Sequence, residues 1–253
     1  MRYNHSNIAG LVLLMLGLLF SSTGQAQVGE VNENIEKSKE TKSTDQNSTN
    51  TESSGGDGFF VFLADIFVHT IGAAQMAALE NKHIYPERVG FNAGADLGYG
   101  FTRNTWNITT QARLNWGVFG SDFKFNSLSD LTGKLNTIDW QVVVLRLPIQ
   151  SFNLEYGLGF IAIPKQSESY GSFSFGFDFK IRAIGTTLGS HYYWSSITSL
   201  DTRFRRAFEV TGDVEVIQNG HFHLCLLAKY SYQNYFEETN FNIAGIGVVL
   251  KFY

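Results

Sequence analysis

The chain has 253 residues, 17% of them charged, and a formal net charge of −4, which excludes the strong basic bias of a nucleic-acid binder. Its one cysteine, Cys225, excludes an internal disulfide and any cysteine metal cluster. What stands out is 25 Gly, 22 Phe and 11 Tyr, a bias that suits strands with a small-residue face and an aromatic face, as in a membrane barrel.

Residues 1–26 read as a secretory signal: Arg2 supplies the charge, an apolar run follows to Phe20, and Gly24-Gln25-Ala26 forms a small-x-small cleavage site. A retained helical anchor is the competing reading, but the apolar run falls short of the roughly 20 residues that a span requires. Residues 27–58 are Glu, Asn, Lys, Ser, Thr, Asp and Gly with little to bury, so a disordered periplasmic linker is expected there. Residues 59–82 place Phe59, Phe62, Leu63, Ile66 and Phe67 at helical spacing with Asp65 and His69 opposite. An amphipathic helix at the membrane surface is expected, with an additional strand as the alternative.

From residue 86 the period becomes two. Between 89 and 101 every odd position is apolar (Val89, Phe91, Ala93, Ala95, Leu97, Tyr99, Phe101) and the even ones are Gly, Asn or Asp. Alternation sends these sets to opposite faces of a strand. At about 3.3 Å per residue the run reaches roughly 43 Å, more than a tilted bilayer crossing needs. The same pattern returns at 105–116, 119–126, 137–146, 152–160, 172–182, 186–195, 204–216, 222–232 and 241–253. The third strand is followed by a polar loop at 127–136, Pro148 is expected to stop the fourth, and Phe204 is expected on the outward face of the eighth. An open sheet edge in lipid leaves backbone groups unpaired, so the strands must close. The expectation is an all-β fold, a closed antiparallel up-and-down transmembrane β-barrel over 86–253, with about ten strands, or eight if the third and fourth are misread.

Gly247, Leu250 and Phe252, with Tyr253 after them, resemble the terminal-strand signal of bacterial outer-membrane barrels. The resemblance implies recognition by the barrel-assembly machinery and insertion in the outer membrane beside lipid and lipopolysaccharide. In general architecture the chain resembles small outer-membrane protein A-like and porin-like barrels. Its Asn- and Ser-rich spacer and short loops are similar to small barrels of the Bacteroidota.

The inward face gathers Arg113, Lys180, Arg182, Arg205, Lys229 and Lys251 against Asp96, Glu155, Asp178, Glu209, Asp213 and Glu215. The signs balance, and a barrel of this size is filled by its own side chains, so a closed, ion-paired lumen with a structural or surface-contact role is expected. A narrow channel for small solutes or ions, which should show an excess of one sign, is the alternative. A lipid- or peptide-modifying enzyme is the second. Ser190 and His191 are adjacent and point to opposite faces of a strand, which argues against a nucleophile and base. His221 and His223 share a face but lack further donors for a metal. No catalytic residue, metal or cofactor is therefore assigned.

Overall fold

The computed structural model describes residues 28–45, 75–76, 79–80, 89–100, 104–149, 151–196 and 203–253. Ten antiparallel strands run in chain order: β1 (Val89–Gly100), β2 (Thr105–Trp116), β3 (Phe119–Ser129), β4 (Lys134–Ile149) and β5 (Phe152–Ile163). They continue with β6 (Glu168–Ile181), β7 (Thr186–Ser196), β8 (Arg203–Asn219), β9 (Phe222–Tyr235) and β10 (Thr239–Phe252). Each pairs with the next, and β1 pairs with β10, so the sheet is a closed up-and-down barrel with no free edge. Ten strands, not eight, is the observed number. The seam runs from Phe91 opposite Phe252 to Gly100 opposite Ile243. It requires Gly247, because a Cβ there would collide with the carbonyl of Ala95.

An even number of strands places the start of β1 and the end of β10 at one end, here called the turn end. It also carries the β2–β3 connection, where Gly117 has φ +66°. The other is the loop end. Through the turn-end two-thirds of the barrel the alternation behaves as the sequence predicts: Leu114, Leu158, Phe173, Phe175, Leu226 and Ile246 are exposed outward, while Asp96, Asp122, Lys124, Glu155 and Lys229 are buried inward. Aromatic pairs mark two rims. Tyr99 lies edge-on to Trp106 at 5.0 Å and Trp140 to Phe160 at 5.6 Å towards the loop end; Phe222 meets Phe252 at 5.3 Å at the turn end. Such girdles suit the two interfaces of a bilayer.

At the loop end the pattern inverts. Leu128, Leu135, Ile161, Ile163, Tyr170 and Ile243 occupy inward positions and are buried, while the outward positions carry Ser129, Asn136, Ser169 and Asn242. An apolar inside and polar outside describe a globular core in water, so the strands continue past the hydrocarbon. The expected polar loop at 127–136 is therefore corrected: strand pairing extends to Ser129 and resumes at Lys134. The β9–β10 connection shrinks to residues 236–238. Phe204, expected on the lipid face, is fully buried in this core, stacked on Tyr170 at 4.3 Å. Nor does Pro148 stop β4, which runs to Ile149. The β3 pairing ends at Leu145, and the Arg146 N–H still reaches the Val118 carbonyl at 2.7 Å; Pro148 lies past both, paired only with β5, where a residue lacking an N–H is tolerated.

The largest departure from expectation is the N-terminal segment. Part of the stretch expected as a disordered linker forms a helix, α1 (Val28–Asp45), whose Val28, Val31 and Ile35 are fully buried in the loop-end core. Three aliphatic residues at spacings of three and four make one stripe, and each contributes about 1.5–3 kcal/mol when buried. The scarcity of apolar residues hid this stripe. The barrel also caps the helix: Asp130 accepts the Val28 N–H at 2.9 Å and Thr132 Oγ1 accepts the Gly29 N–H at 3.0 Å. Both satisfy donors that a helix start leaves unpaired. Burial raises the Asp130 carboxyl, but hydrogen bonds from the Thr132 side chain and the backbones of Val28, Thr132 and Gly133 outweigh it and hold the group below its ordinary value. Asn32 accepts from Gln166 at 3.2 Å and Asn34 donates to Glu238 at 3.1 Å, so three hairpins grip α1. Most of 59–82, where the amphipathic helix was expected, lies outside the described residues; Gln75, Met76, Leu79 and Glu80 are helical.

Candidate functional site

Among the described residues, the charged side chains singled out from the sequence come together in the lumen. Nearest the plug, Arg205 on β8 reaches across to Asp139 on β4. Below it Lys229 donates to Asp96 at 2.7 Å and to Thr109 at 2.9 Å. Lys124 on β3 donates to Glu209 on β8 at 2.6 Å and to the Tyr193 hydroxyl at 3.1 Å. Strands three and eight are five apart in a ring of ten, so this last pair spans the diameter.

The middle layer is a cluster. Arg113 lies 2.8 Å from Asp122, 3.0 Å from Glu155 and 3.7 Å from Asp178; Arg146 takes the other Glu155 oxygen at 3.0 Å. His191 Nε2 is 3.3 Å from Glu155 and 3.7 Å from Asp178. Nearer the turn end, Lys251 pairs with Asp213 at 2.7 Å and His223 with Glu215 at 3.0 Å. Among the described lumen pairs, eight carboxylates face six Lys or Arg side chains and two imidazoles. A cavity of about 100 Å³ remains beside Asp178, Thr187 and Asp213, room for a few waters.

Of the sequence-predicted charges, Asp96, Arg113, Glu155, Asp178, Arg205, Glu209, Asp213, Glu215, Lys229 and Lys251 enter these pairs. Lys180 sits at the turn-end mouth, 5.2 Å from the Tyr253 ring. Arg182 follows the end of β6 at Ile181 and opens an exposed 3₁₀ turn. Of the terminal-strand residues, Leu250 and Phe252 face outward, and Gly247 forms the seam. Tyr253 turns in over the mouth, its ring 4.7 Å from His223 and its carbonyl accepting from His221 at 2.6 Å.

Sequence reasoning assigned no role to Asp122, Lys124, Asp139 and Arg146. The first three were legible, since Asp122 and Lys124 alternate with Phe123 and Phe125, and Asp139 lies between Thr137 and Gln141. Arg146 was not. A bulge between Gln141 and Val143 inserts one residue, so inward positions on β4 are odd before it and even after it.

Glu155, Asp178 and His191 place their ligand-type atoms within 4.8 Å of one another. Two guanidinium groups already occupy Glu155 and border Asp178, so a cation would have to displace them, and the cluster reads as an ion-pair network. His191 hydrogen-bonds to a carboxylate, while its neighbour Ser190 lies at an outward position, so the two form no nucleophile and base.

A closed barrel with a lipid-facing apolar belt, two aromatic rims and a polar interior defines the chain as a small barrel of the outer-membrane kind. No family model matches the chain, and no curated protein matches it. Among solved structures it is similar to the N-terminal β-barrel domain of Pseudomonas aeruginosa OprF, at 9% identity over 65% of this chain and 98% of that one, with a TM-score of 0.32. It is also similar to the NanC porin, at 8% identity over 64% and 99% with a TM-score of 0.35. A transmembrane β-barrel designed de novo matches at 12% identity over 64% and 94%, with a TM-score of 0.35.

Proposed function

We propose that the protein is an integral outer-membrane barrel with a closed lumen, serving a structural and surface-contact role rather than conducting solutes. The observation that carries this is the 2.6 Å Lys124–Glu209 pair across the diameter, below a mouth stoppered by α1. A conducting pore needs a continuous wet path, usually with one charge sign at its constriction. Here paired side chains of both signs fill the section, each carboxylate meeting a Lys, Arg or imidazole. In this reading the turn end faces the periplasm, and the loop end projects beyond the membrane as a rigid platform. Leu250 and Phe252, outward beside the closing seam, are where the assembly machinery would read the last strand.

The test is single-channel recording on the purified full chain in planar bilayers. Silence is expected across the usual voltage range. Discrete conductance steps that vanish when Lys124 or Glu209 is changed would overturn the closed-lumen reading in favour of a narrow channel.

A further inference from the structure

The lumen is packed unevenly along its length. Lys124 meets Glu209 across the diameter, with Lys229 on Asp96 and Arg205 on Asp139 above, and these pairs bar the way towards the loop end. On the turn-end side of them lies the cavity of about 100 Å³. One wall carries Asn92, Gln111 and Lys251 from β1, β2 and β10; the other carries Asp178, Thr187, Thr211 and Asp213 from β6, β7 and β8. Glycine makes the room. Gly189 lies between Asp178 and Thr211 in the strand register, and a Cβ there would sit 2.5 Å from Asp178 Oδ1 and 2.6 Å from Thr211 Oγ1. The two oxygens therefore converge over one glycine.

The groups around this space are short of positive charge. Asp178 is the one carboxylate of the described lumen pairs with no Lys, Arg or His nitrogen within hydrogen-bond reach: Arg113 stands 3.7 Å from Oδ2 and His191 stands 3.7 Å from Oδ1. The Asn92 amide oxygen is buried and accepts no hydrogen bond from a described residue, a state that buried acceptors rarely keep. Lys251 is already engaged, with Asp213 at 2.7 Å and Thr187 at 3.3 Å. In the described pairs eight carboxylates face six Lys or Arg side chains, so with His191 and His223 neutral the pairs carry two negative charges in excess. Hard cations take carboxylate, amide and hydroxyl oxygens as ligands. A single carboxylate without a close partner, among neutral oxygens, matches a single positive charge.

We infer that this cavity is a binding site for a small monovalent cation such as Na⁺, held by Asp178, Thr211 and the amide oxygen of Asn92 and reached from the turn end. The guanidinium of Arg113 stays in place, because it approaches Oδ2 while Oδ1 faces Gly189. Binding here is separate from conduction, since a site shut on its loop-end side holds a cation without passing it.

The test uses the full chain in detergent. Crystals grown in RbCl are expected to show an anomalous peak between Asp178 and Thr211. Urea unfolding in NaCl is expected to have a higher midpoint than in N-methyl-D-glucamine chloride of equal ionic strength, whose cation is too large for the cavity. Asp178→Asn keeps the shape and removes the charge, and should abolish both the peak and the difference between salts. Gly189→Ala should do the same by filling the space, with no charge altered. A cavity holding water alone, seen as no peak and equal midpoints, overturns the inference; so does a salt difference that survives Asp178→Asn. With silent bilayers, a missing peak removes the cation site and leaves the closed lumen standing. Conductance steps that vanish in Asp178→Asn together with the peak would remove the closed lumen and support the site.

Discussion

The two ends of this barrel follow opposite rules. In the turn-end two-thirds the outward side chains are Phe, Leu and Ile and the inward ones are charged; at the loop end Leu128, Leu135, Ile161 and Ile163 face in while Ser129, Asn136 and Asn242 face out. One continuous sheet is thus solvated from the outside in one region and from neither side in the other. The strand geometry is the same; what differs is the medium beyond the wall and the presence of α1 inside it. Period-two alternation therefore reports that two environments differ, and says nothing about which of them is water.

Four tests would break or sharpen this contrast. The largest effect is expected from Lys124→Met, which leaves Glu209 charged, buried and unpaired at a cost of about 3–5 kcal/mol. The double change with Glu209→Met should recover most of it, as read by urea unfolding in detergent or vesicles. Removing an ionic partner at the loop end has no counterpart, because that core is apolar. There the matching change is Ile35→Ala, expected to cost about 2–5 kcal/mol of helix docking. It should expose 28–45 to limited proteolysis while the barrel keeps its resistance to SDS.

Arginine substitution on the outer wall reads the boundary directly. Phe175→Arg, on the lipid face, should cost about 2–4 kcal/mol if it lies near the bilayer midplane. Ser129→Arg, on the same wall beyond the hydrocarbon, should stay within about 0.5 kcal/mol. Equal costs in refolding titrations would erase the contrast between the ends. The smallest effect is a pH dependence. Asp130 is held below its ordinary value in the folded state, so its contribution is present above the unfolded carboxylate pKa and fades as the pH falls through the lower folded value. Helix protection against protease should decline on acidification below about pH 4. In Asp130→Asn it should start lower and lose that dependence.

The strand count, the closed topology and the lipid face were legible because hydrocarbon enforces a clean alternation over ten segments. Lumen residues on β1, β5, β6, β8 and β9 followed from parity alone. What escaped did so for physical reasons. The bulge at Val142 moved Arg146 to an inward position against the parity of Asp139. Phe204 left the lipid face for the plug. The helix went unseen because only Val28, Val31 and Ile35 among many polar residues mark its buried side, and its capping groups, Asp130 and Thr132, lie a hundred positions away. Pairings across the lumen, such as Lys124 with Glu209, depend on which strands end up opposite, which no local pattern encodes.

That remote capping has a consequence for the order of assembly. Eighteen largely hydrophilic residues hold a helix poorly without the tertiary packing of its apolar stripe. The β3–β4 hairpin that supplies the missing acceptors must already be in place. Coil-to-helix conversion of 28–45 is thus a late event, completed only after ring closure, and a peptide of that segment in isolation would show a random-coil spectrum. The plug acts as a seal applied to a finished vessel, and its formation reports that the vessel has been finished.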